Sequence, residues 1–270
     1  MEKIKIIHSP TAEKPFLIID KPRGLPSAPL SESDCNNALA QAIEDFPEIK
    51  EVKGRKAIEY GLLHRLDTVT EGLLLIATTQ ECYDFLMEEQ QAGRFTKTYT
   101  AVCHPDAKNA TKLTGFPPTP SFLIPHSSKD FSRTLQSSSS NSYLILHTYF
   151  RSFGPGKKEV RPVTEDSGKA AIQKLGKAKK YKTEVKIIKK EEDSFTVECK
   201  IVEGYRHQVR CHLAWAGLPI IGDPLYNADY RKGLEDKKNA EEPIRFSASK
   251  LMFEYPRGDL NSYDRKDTWT

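Results

Sequence analysis

Residues 64–81 read HRLDTVTEGLLLIATTQE. Inside this stretch Leu73 to Ala77 form a short unbroken apolar run, which suits a fully buried strand. Thr78-Thr79-Gln80-Glu81 follows, with a hydroxyl residue three places before a glutamate, the pattern of a capping box that opens a helix. The spacing predicts a helix to about Gln91, ended by Gly93, and then a strand over Lys97–Cys103, where the chain reads KTYTAVC. A polar loop, a strand, a helix and a second strand are thus built around one acidic residue, Asp67.

Working outward, residues 4–7 and 16–19 predict two short strands, the second leading into the loop Asp20-Lys21-Pro22-Arg23-Gly24. Residues 34–43 predict a helix capped by Ser33 or Asp34. Residues 115–141 are rich in Pro, Ser and Thr and predict a flexible insertion, because they bury too little apolar surface to offset ordering. Strand character returns over 142–150. Residues 181–190 and 194–202 predict a hairpin about Glu191-Glu192-Asp193, and 207–216 a helix stopped at Gly217. Many strands, several joined as hairpins, with few helices predict an α+β fold. The 270 residues allow one large domain or two small ones, and one domain over 1–270 is expected.

Twelve Phe, 11 Tyr and two Trp supply the large side chains of a core, which excludes a wholly disordered chain. No apolar run approaches the roughly 18 residues that span a bilayer, and no secretory signal opens the chain, so residence in the cytoplasm is the default expectation. The five cysteines, Cys35, Cys82, Cys103, Cys199 and Cys211, are scattered and include no C-x-x-C pair. This pattern argues against a disulfide framework and a structural zinc site; the Cys199, Cys211 and His212 grouping has no familiar ligand spacing. No metal and no cofactor are expected.

Net charge is only +4, but its distribution is uneven. Residues 151–190 hold 13 Lys and Arg against 4 Asp and Glu, a surplus of nine that leaves the other 230 residues at −5. Such a segment suits a phosphate backbone through counterion release, or else is a solvated lysine face.

Four blocks occur in order: FLIIDKPRG (16–24), HRLDTVTEGLLL (64–75), KTYTAV (97–102), and GYRHQVRCH (204–212) followed by GLPIIGDPLY (217–226). In content and order they resemble the RluA-type family of RNA pseudouridine synthases. The resemblance runs from about residue 4 to 226. It implies a pseudouridine synthase fold, a bent, mostly antiparallel mixed sheet flanked by helices with a central active-site cleft, and isomerisation of uridine to pseudouridine in ribosomal or transfer RNA without a cofactor. Asp67 matches the family's catalytic aspartate, Arg210 the arginine that pairs with it, and Tyr99 the tyrosine that packs on the target base. Arg65 matches an arginine that enters the space left by the flipped nucleotide. Lys21, His64, Arg206 and His207 are further candidates for substrate contact. Gly72, Gly204 and Gly222 read as glycines needed for tight loops, and the GDPLY block as structural.

Two positions depart from the family pattern: Glu71 stands where relatives commonly carry a small hydroxyl residue, and Tyr205-Arg206 replaces the usual arginine-threonine pair. Some relatives carry a small N-terminal RNA-binding domain, for which this chain is expected to have no room, and no obligatory protein partner is expected. The alternatives are a catalytically silent RNA-binding or RNA-folding protein on the same fold, and a carboxylate-based glycosidic hydrolase. The second needs another acid at matched distance, and Asp67's motif offers none.

Overall fold

The computed structural model describes residues 2–119, 144–173, 175, 178–236 and 242–265. Its strands are β1 (Lys5–His8), β2 (Phe16–Lys21), β3 (Glu71–Ala77), β4 (Thr96–Cys103), β5 (Leu144–Phe153), β6 (Glu159–Val163), β7 (Tyr181–Lys190), β8 (Phe195–Ile201), β9 (Phe246–Glu254) and β10 (Leu260–Asp264). The α-helices are α1 (Ala38–Asp45), α2 (Gln80–Gln91), α3 (Asn109–Lys112), α4 (Lys169–Gln173), α5 (Gln208–Trp215) and α6 (Ala228–Glu235). No described helix is long and apolar enough to cross a membrane. The described residues divide into two compact units with the boundary inside β4, one holding 2–99 and 247–265 and the other those between 100 and 246.

In the first unit β2 pairs antiparallel with both β1 and β3, β10 pairs antiparallel with β9, and β3 meets β9 in parallel. The sheet is mixed at that parallel contact. Gly72 makes the contact possible: its φ is +122°, and a Cβ there would lie 2.4 Å from the Ala248 carbonyl oxygen and 2.6 Å from its nitrogen. Phe16, Ile18, Leu73 and Leu75 pack with Leu86 of α2 and with Phe95 and Phe253 in one apolar cluster. The predicted helix at 34–43 begins later, at Ala38, because Asn37 and not Ser33 or Asp34 caps it, accepting from the Ala40 amide at 2.8 Å. Likewise Thr79, one place beyond the first residue of the expected capping box, caps α2 through the Cys82 amide.

In the second unit the strand order is β4-β8-β7-β5-β6. The predicted hairpin is β7–β8, closed by the Glu191 amide donating to the Ser194 carbonyl. The expected insertion at 115–141 is described only to Thr119; 120–141 lies outside the described residues. Its first residues are anchored, since Trp215 Nε1 donates to the Pro118 carbonyl and Thr119 Oγ1 to the Trp215 carbonyl, each at 3.2 Å. Gly222 (φ +75°) is a required glycine, because a Cβ would sit 2.6 Å from the Pro243 carbonyl oxygen; at Gly204 a Cβ would meet only Ile201 Cδ1, at an ordinary 3.8 Å, so no such need exists.

Candidate active site

In the first unit the segment before Asp67 folds back along β3. The Ala77 amide donates to Gly61 and the Leu63 amide to Leu75. His64 continues this pairing. Its Nε2 accepts from the Leu75 amide at 3.4 Å, its ring meets Phe95 edge to face, and its buried Nδ1 has no hydrogen-bond partner among the described residues. Burial and the charge of Lys97 hold this imidazole neutral, well below its usual range, so its visible task is to fix the loop.

The loop after β2 then grips the Asp67 turn on both sides. Ser27 Oγ, 4% exposed, accepts from the Leu66 amide at 2.9 Å and donates to the Leu66 carbonyl at 2.8 Å. Beyond Asp67, the Thr68 carbonyl accepts from the Gly24 amide at 2.8 Å and from Lys21 Nζ at 3.5 Å, and the Thr70 amide donates to the Asp67 carbonyl. Lys21 is fully buried and also donates to the Pro22 and Leu25 carbonyls. Burial pulls its pKa down from 10.5 to about 8, against the charges of Asp67, Glu71 and Asp20, which favour the ammonium. Lys21 is therefore a buttress of the aspartate turn.

Asp67 itself is half-buried, and its charge reaches Tyr99 on β4. Tyr99 is 8% exposed; burial first, and the Asp67 carboxylate second, raise its pKa far above the ordinary value. The hydroxyl stays a neutral phenol, able to donate a proton or a hydrogen bond but not to act as a base near pH 7. Arg65 is exposed and its Nη1 donates to Glu59 at 3.1 Å, which ties its stem beside the turn. Glu71, at the family departure, is an ion-pair anchor: Arg23 lies 3.0 Å and Arg265 3.5 Å from its carboxylate.

In the second unit α5 carries Arg210. Its guanidinium makes a fork-to-fork pair with Asp223, Nε to Oδ2 and Nη2 to Oδ1, both at 2.8 Å, and lies 5.3 Å from the Tyr226 ring centroid. Both side chains are buried. Burial pushes the Asp223 carboxyl up, but Arg210 and the Leu225 and Tyr226 amides outweigh it and hold its pKa below the ordinary value. Asp223 thus fixes the plane of the Arg210 fork.

His207 begins α5 in the left-handed region (φ 57°), and its Nδ1 shares a hydrogen bond with the Tyr226 hydroxyl at 2.9 Å while that oxygen accepts from the Val160 amide. Gln208 holds the same turn, accepting from Tyr205 and donating to Lys182. Arg206 donates to the carbonyls of Lys157 and Glu159. Tyr205, at the second departure, stacks on Phe150 with centroids 5.2 Å apart and an 8° interplanar angle. His212 is held between two hydroxyls. Its nitrogens meet Thr148 and Thr183 hydroxyls at 2.9 and 2.8 Å, and burial lowers its pKa to about 3. Among the described residues no group of three His, Cys, Asp or Glu could hold a metal ion.

The profile described as RNA pseudouridylate synthase matches residues 15–215, a span that contains both the Asp67 turn and Arg210. The chain belongs to that family. Within the pseudouridine synthases it is of the RluA type. It is 23% identical over 246 residues to the uncharacterized RNA pseudouridine synthase YlyB of Bacillus subtilis, covering 91% of this chain and 63% of that one. It is 22% identical over 219 residues to ribosomal large subunit pseudouridine synthase D of Pseudomonas aeruginosa, covering 80% and 52%. The chain therefore spans between about half and two thirds of these relatives' lengths. Human RNA pseudouridylate synthase domain containing 1 shares the fold, with a TM-score of 0.61 at 16% identity over 98% of this chain and 84% of that one. The α+β expectation and the pseudouridine synthase fold are both met.

Two residues escaped the sequence reading of this family member. Ser27 lies just past the DKPRG block, and only the fold shows that its hydroxyl reaches Leu66. Asp223 was read as part of a structural block, although GDPLY supplies the carboxylate that orients Arg210. A buried arginine needs a charged partner, and that requirement was the available signal.

Proposed function

We propose that this chain isomerises uridine to pseudouridine in a structured RNA, ribosomal or transfer RNA, acting in the cytoplasm without an obligatory protein partner. The observation that carries the reading is the turn of Asp67, pinned through the backbone of both its neighbours and set electrostatically beside a neutral Tyr99. A carboxylate held this way is positioned for reaction rather than for solvation.

The reaction breaks the bond between uridine N1 and the ribose, turns the base, and joins C5 to the same sugar carbon. C5 loses a proton and N1 gains one, so atoms and oxidation state are unchanged. Asp67 serves as nucleophile, at the anomeric carbon or at the pyrimidine ring, and as proton acceptor. Tyr99 packs on the base and donates from its hydroxyl. Arg210, its fork oriented by Asp223, is assigned to keep the catalytic carboxylate ionised. Arg65 is assigned to the stack vacated by the flipped nucleotide, since the base must leave the helix to react. Lys21 and His64 position the turn, while Arg206 and His207 shape the RNA-facing end of α5.

Ribosomal RNA is the first substrate to examine, since a relative bears the name of a large-subunit synthase. The test is to map pseudouridine across total RNA from cells with the chain, without it, and with Asp67→Asn. A site that disappears in the second and third supports the proposal; a site that persists with Asp67→Asn sinks it. The silent RNA-binding alternative is not favoured, because binding alone gives no reason for so tightly held a carboxylate turn.

A further inference from the structure

Arg151 and Arg161 stand opposite one another in the β5–β6 pair, and directly opposed like charges destabilise a sheet unless compensated. Their guanidiniums lie 4.9 and 4.2 Å from the centroid of one ring, Phe153. Arg161 is compensated inside the fold: Nη2 meets Glu159 at 2.6 Å, and Nε and Nη1 donate to the Thr114 and Val160 carbonyls. Arg151 is not. Its Nη2 donates to the Gly115 carbonyl at 3.3 Å; among the described residues no carboxylate pairs with it, and its buried Nε has no hydrogen-bond partner. A buried donor in that condition calls for an acceptor.

Arg151 lines a cavity of about 470 Å³, together with Phe116, Pro118, Pro162, Lys169 and Asp166. The apolar walls are a phenyl ring, three prolines and two alanines; the cations are Arg151 and Lys169. Flat apolar surface joined to cationic groups is the combination that holds single-stranded nucleotides. Asp166 repels any anion close to it, which directs a phosphate to the Arg151 end.

We infer that this cavity receives one nucleotide of the RNA strand outside the isomerised uridine, its phosphate on the Arg151 guanidinium and its base against Phe116 and the prolines. The inference rests on the proposed RNA substrate. It makes Arg151 a residue of affinity and site choice, and it gives part of the basic 151–190 segment a defined task.

The full chain carrying Asp67→Asn, which removes turnover, is titrated with hexauridylate, uridine 5′-monophosphate and inorganic phosphate over a range of salt. Adding Arg151→Gln is expected to weaken hexauridylate binding about tenfold, as loss of a charge-assisted contact does, and to lower the salt slope by about one. Arg151→Lys is expected to restore the slope while recovering only part of the affinity. Phosphate binding as tight as the mononucleotide's would show an anion site without base contact and overturn the inference. A mononucleotide held through Arg151 with hexauridylate binding unchanged would reveal a free-nucleotide site and also overturn it. In chains with Asp67 intact, Arg151→Gln is expected to raise KM and leave kcat unchanged. Absence of pseudouridine formation by the unsubstituted chain would instead count against the enzymatic reading, leaving the binding result to stand alone.

Discussion

Ser27 Oγ engages both backbone polar groups of Leu66, accepting from its amide at 2.9 Å and donating to its carbonyl at 2.8 Å. One hydroxyl on the loop after β2 thereby completes the hydrogen bonding of the residue immediately before Asp67. The Gly24 amide does the same for the carbonyl of the residue immediately after it.

Removing that hydroxyl leaves a buried amide and a buried carbonyl unpaired. Ser27→Ala is expected to cost about 2–4 kcal/mol in urea unfolding, from the usual penalty for such groups. It is also expected to lower kcat more than it raises KM, because the turn loses precision rather than substrate contact. An unaltered kcat would dissociate Ser27 from catalysis.

Lys21 gives this chain a specific pH signature. Its pKa is about 8 in the folded chain and about 10.5 when unfolded, so between those values the unfolded chain binds more protons. The contribution of this group to folding stability therefore rises with pH across that window. Its ammonium braces the Thr68 carbonyl, and turnover is expected to fall as pH rises through about 8. Rate and stability should move in opposite directions. Lys21→Met is expected to flatten this part of the rate profile; an identical alkaline limb in that variant would remove Lys21 from the account.

Asp223→Asn keeps the shape of the carboxylate and loses its charge, leaving Arg210 buried without it. The expected loss is about 3–5 kcal/mol in unfolding, in line with the breaking of a buried ion pair. At a temperature where the variant remains folded, kcat should drop with little change in RNA binding, because the Arg210 fork is no longer oriented. Wild-type kcat would show that Asp223 is structural only.

Lys179, Lys180 and Lys182 pair with Glu203, Glu165 and Glu184 at 2.7–2.8 Å, whereas Lys177 lies outside the described residues. Exposed pairs of this kind contribute about 0–1 kcal/mol each, so replacing the three lysines with Ser should leave stability nearly unchanged. If they contact RNA, binding weakens and its salt slope falls by up to about three. An unchanged slope identifies a solvated face.

The elements with strong local signals were legible in the chain: β2, β3, α2, β4, the β7–β8 hairpin and α5 lie where apolar runs, caps and glycines predicted them. The C-terminal strands β9 and β10 and helix α6 were not foreseen. FSASKLMFE gives no clean alternation, and its pairing with β3 depends on Ser247 and Ala248 meeting residues far away in sequence. The same limit governed the site. Lys21 reads in the sequence as a candidate for substrate contact, whereas its burial makes it a buttress of the turn. Ser27 and Asp223 act on residues 39 and 13 places away, contacts that a motif does not reveal.

The cysteine distribution has a practical consequence. Cys82, Cys103, Cys199 and Cys211 are buried, and desolvation drives every one of those thiols toward a higher pKa, to about 12 for Cys82. Cys35 alone is exposed, on the stretch between Ser27 and α1. A maleimide dye at neutral pH will therefore attach at one place on the unsubstituted polypeptide, giving a fluorescent reporter just ahead of α1 without any engineering.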